Sequence, residues 1–183
     1  MPPAPFVDAT KIDCTKIVAD VHEIQRLNPH RHNMLHLDAI VELDFDSIHI
    51  VGYKDVRNDE FWVTGHMPGY PLLPGVIMCE AAAQLISWYT KKLNAFGDDL
   101  LGLGGIDEAR FRAPVRPGDR LLMVAKGVKV SRRITIFNIQ GFVGTPQGFT
   151  STTLAFEAKI TGVPIPGGEK IREAIAKANA AGS

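Results

Sequence analysis

The stretch from Gly75 to about Leu93 constrains this chain more than any other. It reads Gly75-Val76-Ile77-Met78-Cys79-Glu80-Ala81-Ala82-Ala83-Gln84-Leu85-Ile86-Ser87-Trp88-Tyr89 before turning polar. Nothing in it breaks a helix, and its alanines favour one. It is apolar on nearly every side, so the helix must be wrapped by protein rather than lie on a surface. The polar exceptions are Glu80, Gln84 and Ser87, and their spacing puts them on one face. No segment of the chain approaches the ~20 apolar residues of a membrane span.

Strands supply the wrapping. Ala39–Phe45 and Ile48–Val56 are separated by Asp46-Ser47, a hairpin turn. After the Gly97-Asp98-Asp99 linker, β-patterned runs return at Leu101–Phe111, Arg120–Val130, Ile134–Val143 and Phe149–Ile160. Leu122, Val124, Val128 and Val130 share one parity, as do Leu154, Phe156, Ala158 and Ile160, which predicts a sheet with one wet face. A short helix is expected from Lys16 to Leu27, ended by Asn28-Pro29 because the residue before a proline leaves the helical region. The expected class is α+β, a long central helix wrapped by a curved antiparallel sheet. One domain is expected over 16–162, with a flexible tail at 1–15 and a C-terminal tail at 163–183 that carries a frayed helix, Glu169 to Asn179. A length of 183 residues suits this, since ~150 residues make an ordinary domain.

Lysine plus arginine equals aspartate plus glutamate, 20 each. A general nucleic-acid binder would show a basic excess. Cys14 and Cys79 read as free thiols in a reducing compartment. Met1-Pro2-Pro3-Ala4-Pro5 has neither the basic nor the apolar region of a signal peptide, so a cytoplasmic location is expected.

The chemistry gathers between Gly65 and Gln84. Pro68, Pro71 and Pro74 exclude a helix and a central strand there, leaving a stiff loop that carries His66 and ends at Gly75. A ligand atom can approach a glycine backbone N–H closely. First-turn amides lack internal partners, and the helix dipole favours negative charge there. A carbonyl oxygen that gains charge would be stabilised at that point. Further along, Glu80 is a carboxyl on a buried helix, and burial favours its protonated form. Histidine titrates near neutrality and is a base when neutral. A base, an acid and an oxyanion donor are the parts needed to take an α-proton from a thioester and expel a β-hydroxyl.

The run Gly65–Gln84 resembles the signature of the FabZ family of 3-hydroxyacyl-[acyl-carrier-protein] dehydratases, Gly-His-Phe-Pro-Gly-x-Pro-x-x-Pro-Gly-Val-x-x-x-Glu-Ala-x-Ala-Gln, with Met67 in place of the phenylalanine. Asn28-Pro29-His30-Arg31 resembles the family's Leu-Pro-His-Arg. Gly105–Asp119 resembles its strand and turn after the helix. The resemblance implies a hotdog fold and a homodimer with a substrate tunnel at the interface, often built into a trimer of dimers. Each site would take His66 from one protomer and Glu80 from the other. By this likeness His66 takes the α-proton and Glu80 protonates the leaving hydroxyl. The Gly75 N–H polarises the thioester carbonyl, and Met67 and Gln84 join it as substrate-binding residues. It further implies a cis His66–Met67 peptide, acyl carrier protein as the partner that brings the 3-hydroxyacyl chain, and no metal or organic cofactor. The related FabA dehydratase/isomerases carry Asp at the Glu80 position, which favours simple dehydration here.

The chain departs from the pattern in places. His32-Asn33-Met34 replaces Tyr-Pro-Phe, and a further His36 follows. The segment before His66, Phe61-Trp62-Val63-Thr64-Gly65, is one residue longer than Phe-Phe-x-Gly. A metal site at His30, His32 and His36 is not expected, because no acidic or Cys ligand stands near them. Among the basic residues Arg110, Arg112, Arg116, Arg132 and Arg133, the pair Arg110 and Arg112 shares strand parity and is the candidate docking face for an acidic carrier protein. Two other readings use the same fold: thioester hydrolysis, and acyl-chain or carrier binding without catalysis. The presence of both His66 and Glu80 speaks against the last.

Overall fold

A helix apolar on nearly every side needs wrapping, and in the computed structural model, which describes residues 3–181, six strands provide most of it. The elements run α1 (Val21–Leu27), β1 (Ala39–Asp44), β2 (His49–Asp55), α2 (Gly75–Lys92), β3 (Leu100–Phe111), β4 (Arg120–Val130), β5 (Thr135–Thr145), β6 (Gly148–Ile165) and α3 (Gly168–Ala181). The strands form one sheet in the order β1-β2-β4-β5-β6-β3. Every neighbouring pair is antiparallel.

α2 lies in the hollow of that sheet. Its Leu85, Ile86, Trp88 and Tyr89 pack on Ile50, Leu121, Met123, Phe137, Ile139, Phe156 and Ile160. Each such side chain contributes ~1.5–3 kcal/mol when taken from water. The helix comes so close to β2 that a Cβ at Gly52 would stand 2.8 Å from both Leu85 Cδ1 and the Ala39 carbonyl.

The sheet's outer face is not simply wet. On β4 the inward parity is Leu121, Met123 and Ala125, while Leu122 and Val124 point outward. Leu122 and Val124 join Val41, Val51, Phe142 and Phe149 in a second apolar cluster. The N-terminal segment, expected to be a free tail, lies across this cluster with Phe6, Val7, Ala9 and Ile12. Buried Gln140 fastens it by accepting from the Phe6 N–H at 2.6 Å and donating to the Ala4 carbonyl at 3.1 Å. An apolar set on both strand parities signals two covered faces, and the parity pattern alone does not say what covers the second. Gln140→Ala strips Phe6 of its acceptor. The expected cost is about 1–3 kcal/mol, read by urea unfolding, with faster proteolysis within residues 3–12.

α1 starts later than its apolar stripe suggests. Val18 and Ala19 are taken by the free edge of β1: both their N–H groups donate to the Ile40 carbonyl, and Ala19 accepts from the Ile40 N–H at 2.9 Å. Asp20 then caps the helix by accepting from the Glu23 N–H at 2.9 Å. At the other end β6 runs on to Ile165, because its Gly162–Ile165 pair with Leu100–Leu103 of β3. The hairpin between β1 and β2 is closed by Asp44, whose carboxylate accepts from the Asp46 and Ser47 N–H groups.

One buried ion pair shapes the approach to the site. Lys54 Nζ and Glu60 Oε2 meet at 2.9 Å with almost no solvent access. Glu60 also accepts from the Arg57 N–H and the Trp62 indole, each at 3.0 Å. Trp62 in turn offers its carbonyl to the Gly65 and His66 N–H groups. Lys54→Met would leave the carboxylate buried and unpaired, at an expected cost of about 3–5 kcal/mol in denaturant unfolding. Burial pushes the Glu60 carboxyl up, but the Arg57 N–H, Lys54 and Trp62 outweigh it and hold the group below its ordinary 4.5. A depressed carboxylate stabilises fully above its unfolded value, and that stability drains as pH falls through the folded one. Glu60→Gln should therefore flatten the acid-side fall in stability.

Candidate active site

The loop between β2 and α2 holds His66 by its backbone and its ring. The His66 N–H donates to the Trp62 carbonyl at 2.8 Å, and the His66 carbonyl accepts from the Leu72 N–H at 2.8 Å. The His66–Met67 peptide is cis. The imidazole Nδ1 lies 2.8 Å from the Leu72 carbonyl. A carbonyl can only accept, so Nδ1 carries a proton, and in the neutral ring Nε2 keeps its lone pair. The loop is pinned from outside as well: the Leu73 N–H donates to the Val115 carbonyl at 2.8 Å. The Arg116 guanidinium bonds the Tyr70 hydroxyl and lies 4.4 Å from its ring centre.

His66 opens on a groove of about 620 Å³ lined by Leu72, Pro74, Gly75, Val76, Met78, Phe111 and Arg112. Pro74 caps α2 without a side-chain bond. It leaves the Gly75 and Val76 N–H groups without protein partners among the described residues. These free amides sit at the positive end of the helix dipole. A Cβ at Gly75 would stand 2.6 Å from Phe111 Cε1, so a side chain there would push the ring aside. The Phe111 ring is half exposed and lies beside Phe156, forming an apolar wall next to the free amides.

Glu80 does not line the His66 groove. Its side chain, 24% exposed in the single chain, belongs to a polar cluster one turn further along α2. Gln84 Nε2 donates to Glu80 Oε1 at 2.8 Å and to the Met34 carbonyl at 2.7 Å. Gln84 Oε1 accepts from the His36 N–H at 2.9 Å. His30 Nε2 stands 3.4 Å from Glu80 Oε1. Glu80 is thus not sunk in apolar surroundings, as the helix pattern suggests; amide and imidazole groups frame it.

The other candidate residues fall as follows. Gln84 is fully buried, and its amide bonds Glu80, the Met34 carbonyl and the His36 N–H. Met67 is half exposed and lies outside the groove lining. Arg110 and Arg112 face one hollow with Glu108, Glu157 and Lys159. Arg112 also edges the His66 groove and is ion-paired to Glu157. Among the described residues no three His, Cys, Asp or Glu side chains gather as a metal-ligand set. Cys79 is unpaired, and burial pushes its thiol up to about 11, so it is no nucleophile at neutral pH. Two residues at the site have no role assigned from the sequence: Phe111, part of the strand that resembles the family's, and His30, part of the Leu-Pro-His-Arg likeness and set aside as a metal ligand.

Comparison with known proteins gives concordant findings. The family model described as a FabA-like domain matches residues 28–149. The chain is 40% identical over 123 residues to the 3-hydroxyacyl-[acyl-carrier-protein] dehydratase FabZ of Mannheimia succiniciproducens, covering 66% of this chain and 80% of that one. It is 37% identical over 147 residues to the FabZ of Polynucleobacter necessarius, covering 80% and 93%. Among solved structures it resembles the dehydratase heterocomplex ApeI:P from Xenorhabdus doucetiae, with a TM-score of 0.61 and 18% identity over 82% of this chain and 96% of that one. Cj0977, a sigma28-regulated virulence protein from Campylobacter jejuni, superposes with a TM-score of 0.56 and 17% identity, over 81% and 94%. The fold is the hotdog fold, a helix in a curved antiparallel sheet.

Proposed function

The chain belongs to the FabA-like domain family, and from that premise we propose that it is a hydro-lyase of fatty-acid biosynthesis that converts (3R)-hydroxyacyl-[acyl-carrier-protein] to the trans-2-enoyl thioester. The observation that carries the reading is the fixed tautomer of His66, with its Nε2 lone pair free at a groove that ends on the unpartnered amides of α2.

With the thioester carbonyl on the Gly75 N–H, charge that builds on its oxygen as the α-proton leaves is stabilised by the amide and the helix dipole. His66 Nε2 takes that proton. Glu80 gives a proton to the departing β-hydroxyl, which leaves as water. The imidazolium and carboxylate that remain reset when one proton returns from the first to the second. Because Glu80 lies outside the His66 groove, the acid facing His66 is the partner subunit's Glu80. The pairing surface is β3, the sheet edge opposite β1, where Leu103, Ile106 and Phe111 are exposed. Val76, 73% exposed at the start of α2, extends the same apolar surface. An edge strand with apolar exposure is a template for a second chain. Light scattering distinguishes a dimer from the trimer of dimers that the resemblance implies.

The carrier protein is acidic in this reading and meets Arg110, which unlike Arg112 has no ion-pair partner among the described residues. Arg110→Ala is expected to raise KM for the carrier-bound substrate about fivefold and to weaken its salt dependence, with kcat unchanged. The reaction itself is tested by mass spectrometry of 3-hydroxyacyl carrier proteins of graded chain length. The reading expects loss of one water with the acyl chain retained on the carrier. Loss of the whole acyl group would favour thioester hydrolysis.

A further inference from the structure

The segment Asn28–Arg31 crosses α2 beside Glu80 and is fastened more tightly than a connector requires. Asn28 Nδ2 donates to the Gln84 carbonyl at 2.8 Å, tying the segment to the helix that carries Glu80. The Arg31 guanidinium donates to the carbonyls of Asn28 at 2.9 Å, His30 at 2.7 Å and Gln25 at 2.8 Å. The backbone on both sides of His30 is thereby pinned. Its ring is left with Nε2 3.4 Å from Glu80 Oε1 and with Nδ1 buried and without a partner among the described residues.

Burial lowers the His30 titration, which favours the neutral ring, and the proton that faces the carboxyl is then the one on Nε2. Resting on the dehydratase reading, we infer that His30 is a positioning residue for Glu80. The Gln84 amide donates to Oε1 and the His30 Nε2 stands against the same oxygen, which leaves Oε2 as the oxygen that carries and delivers the proton. The Gln84 N–H on Oε1 and the imidazole beside it also stabilise the carboxylate that forms as the proton departs. His30 thus acts on the leaving of the hydroxyl through Glu80, without touching substrate.

The groups that set the electrostatics are few. Burial lowers the His30 titration most, the Glu80 charge raises it, and neighbouring Arg31 lowers it. His36 sits on the far side, itself buried and held down first by burial and then by Lys54, against the charges of Glu60 and Glu80.

The pairing is tested on the wild-type protein and on Glu80→Gln by following the His30 ring signals by NMR through a pH titration. Removing the carboxylate should lower the His30 midpoint by roughly half a pH unit or more. An unchanged midpoint would overturn the pairing. This measurement needs no turnover, so it stands even if no carrier-bound substrate is dehydrated, an outcome that would count against the dehydratase reading instead. The consequence for the reaction is tested by kinetics. His30→Ala should lower kcat about tenfold while KM stays within about twofold. It should also shift the alkaline limb of the kcat profile to higher pH, because a carboxyl that has lost a donor holds its proton longer. His30→Gln, whose amide N–H reaches toward Oε1, should restore most of the rate and return the limb. A limb that stays in place in His30→Ala would show a merely structural role and overturn the inference.

Discussion

Glu80→Gln yields a folded protein whose rate of enoyl formation is down by roughly 10²–10⁴-fold, the range carried by a positioned general acid. The substitution is nearly isosteric. Gln84 Nε2 can keep its bond at the retained oxygen, so packing of α2 and thermal stability should change little. Only the atom that loses a proton is gone. His66→Ala gives a loss of the same order by removing the base, and its freed Leu72 carbonyl can turn to water because the ring bond is exposed. Steady-state kinetics beside thermal unfolding of each variant checks both. Near wild-type turnover in either would remove that residue from the chemistry.

The second large effect is a recovery. The two inactive variants, unfolded together and refolded as a mixture, should regain activity that neither has alone. A mixed dimer holds one site with both defects and one with neither. With random pairing about a quarter of wild-type activity returns, since about half of the dimers are mixed and each keeps one intact site. A site built within one chain would regain nothing. The separation of Glu80 from the groove that His66 opens on is the structural basis for expecting the recovery.

Much of this architecture is legible in the residues because the governing patterns are local. A helix apolar all round, from Gly75 to Lys92, requires a wrapped core. Three prolines at 68, 71 and 74 force a stiff loop, and that loop delivers His66 and Gly75 to one groove. What stays hidden depends on partners distant in sequence. Val18 and Ala19 look helical until the edge of β1 claims their backbone. The N-terminal segment looks free until Gln140, on β5, bonds it. Gln84 looks like one more polar position on the helix, yet its amide bonds Glu80, Met34 and His36, three groups no local pattern brings together. The β6 parity misleads for a similar reason: a register shift opposite Gly141 and Phe142 turns Leu154 outward while Phe156, Ala158 and Ile160 face α2.

The central claim is that His66 and the partner subunit's Glu80 act on one substrate. A crystal structure of the assembled protein with a non-reacting 3-hydroxyacyl thioester analogue tests it most directly. The account predicts His66 Nε2 against the α-carbon, the thioester oxygen on the Gly75 N–H and the partner's Glu80 against the β-hydroxyl. A blocked tunnel, or the two side chains on opposite sides of the interface with no shared substrate atom between them, would contradict it.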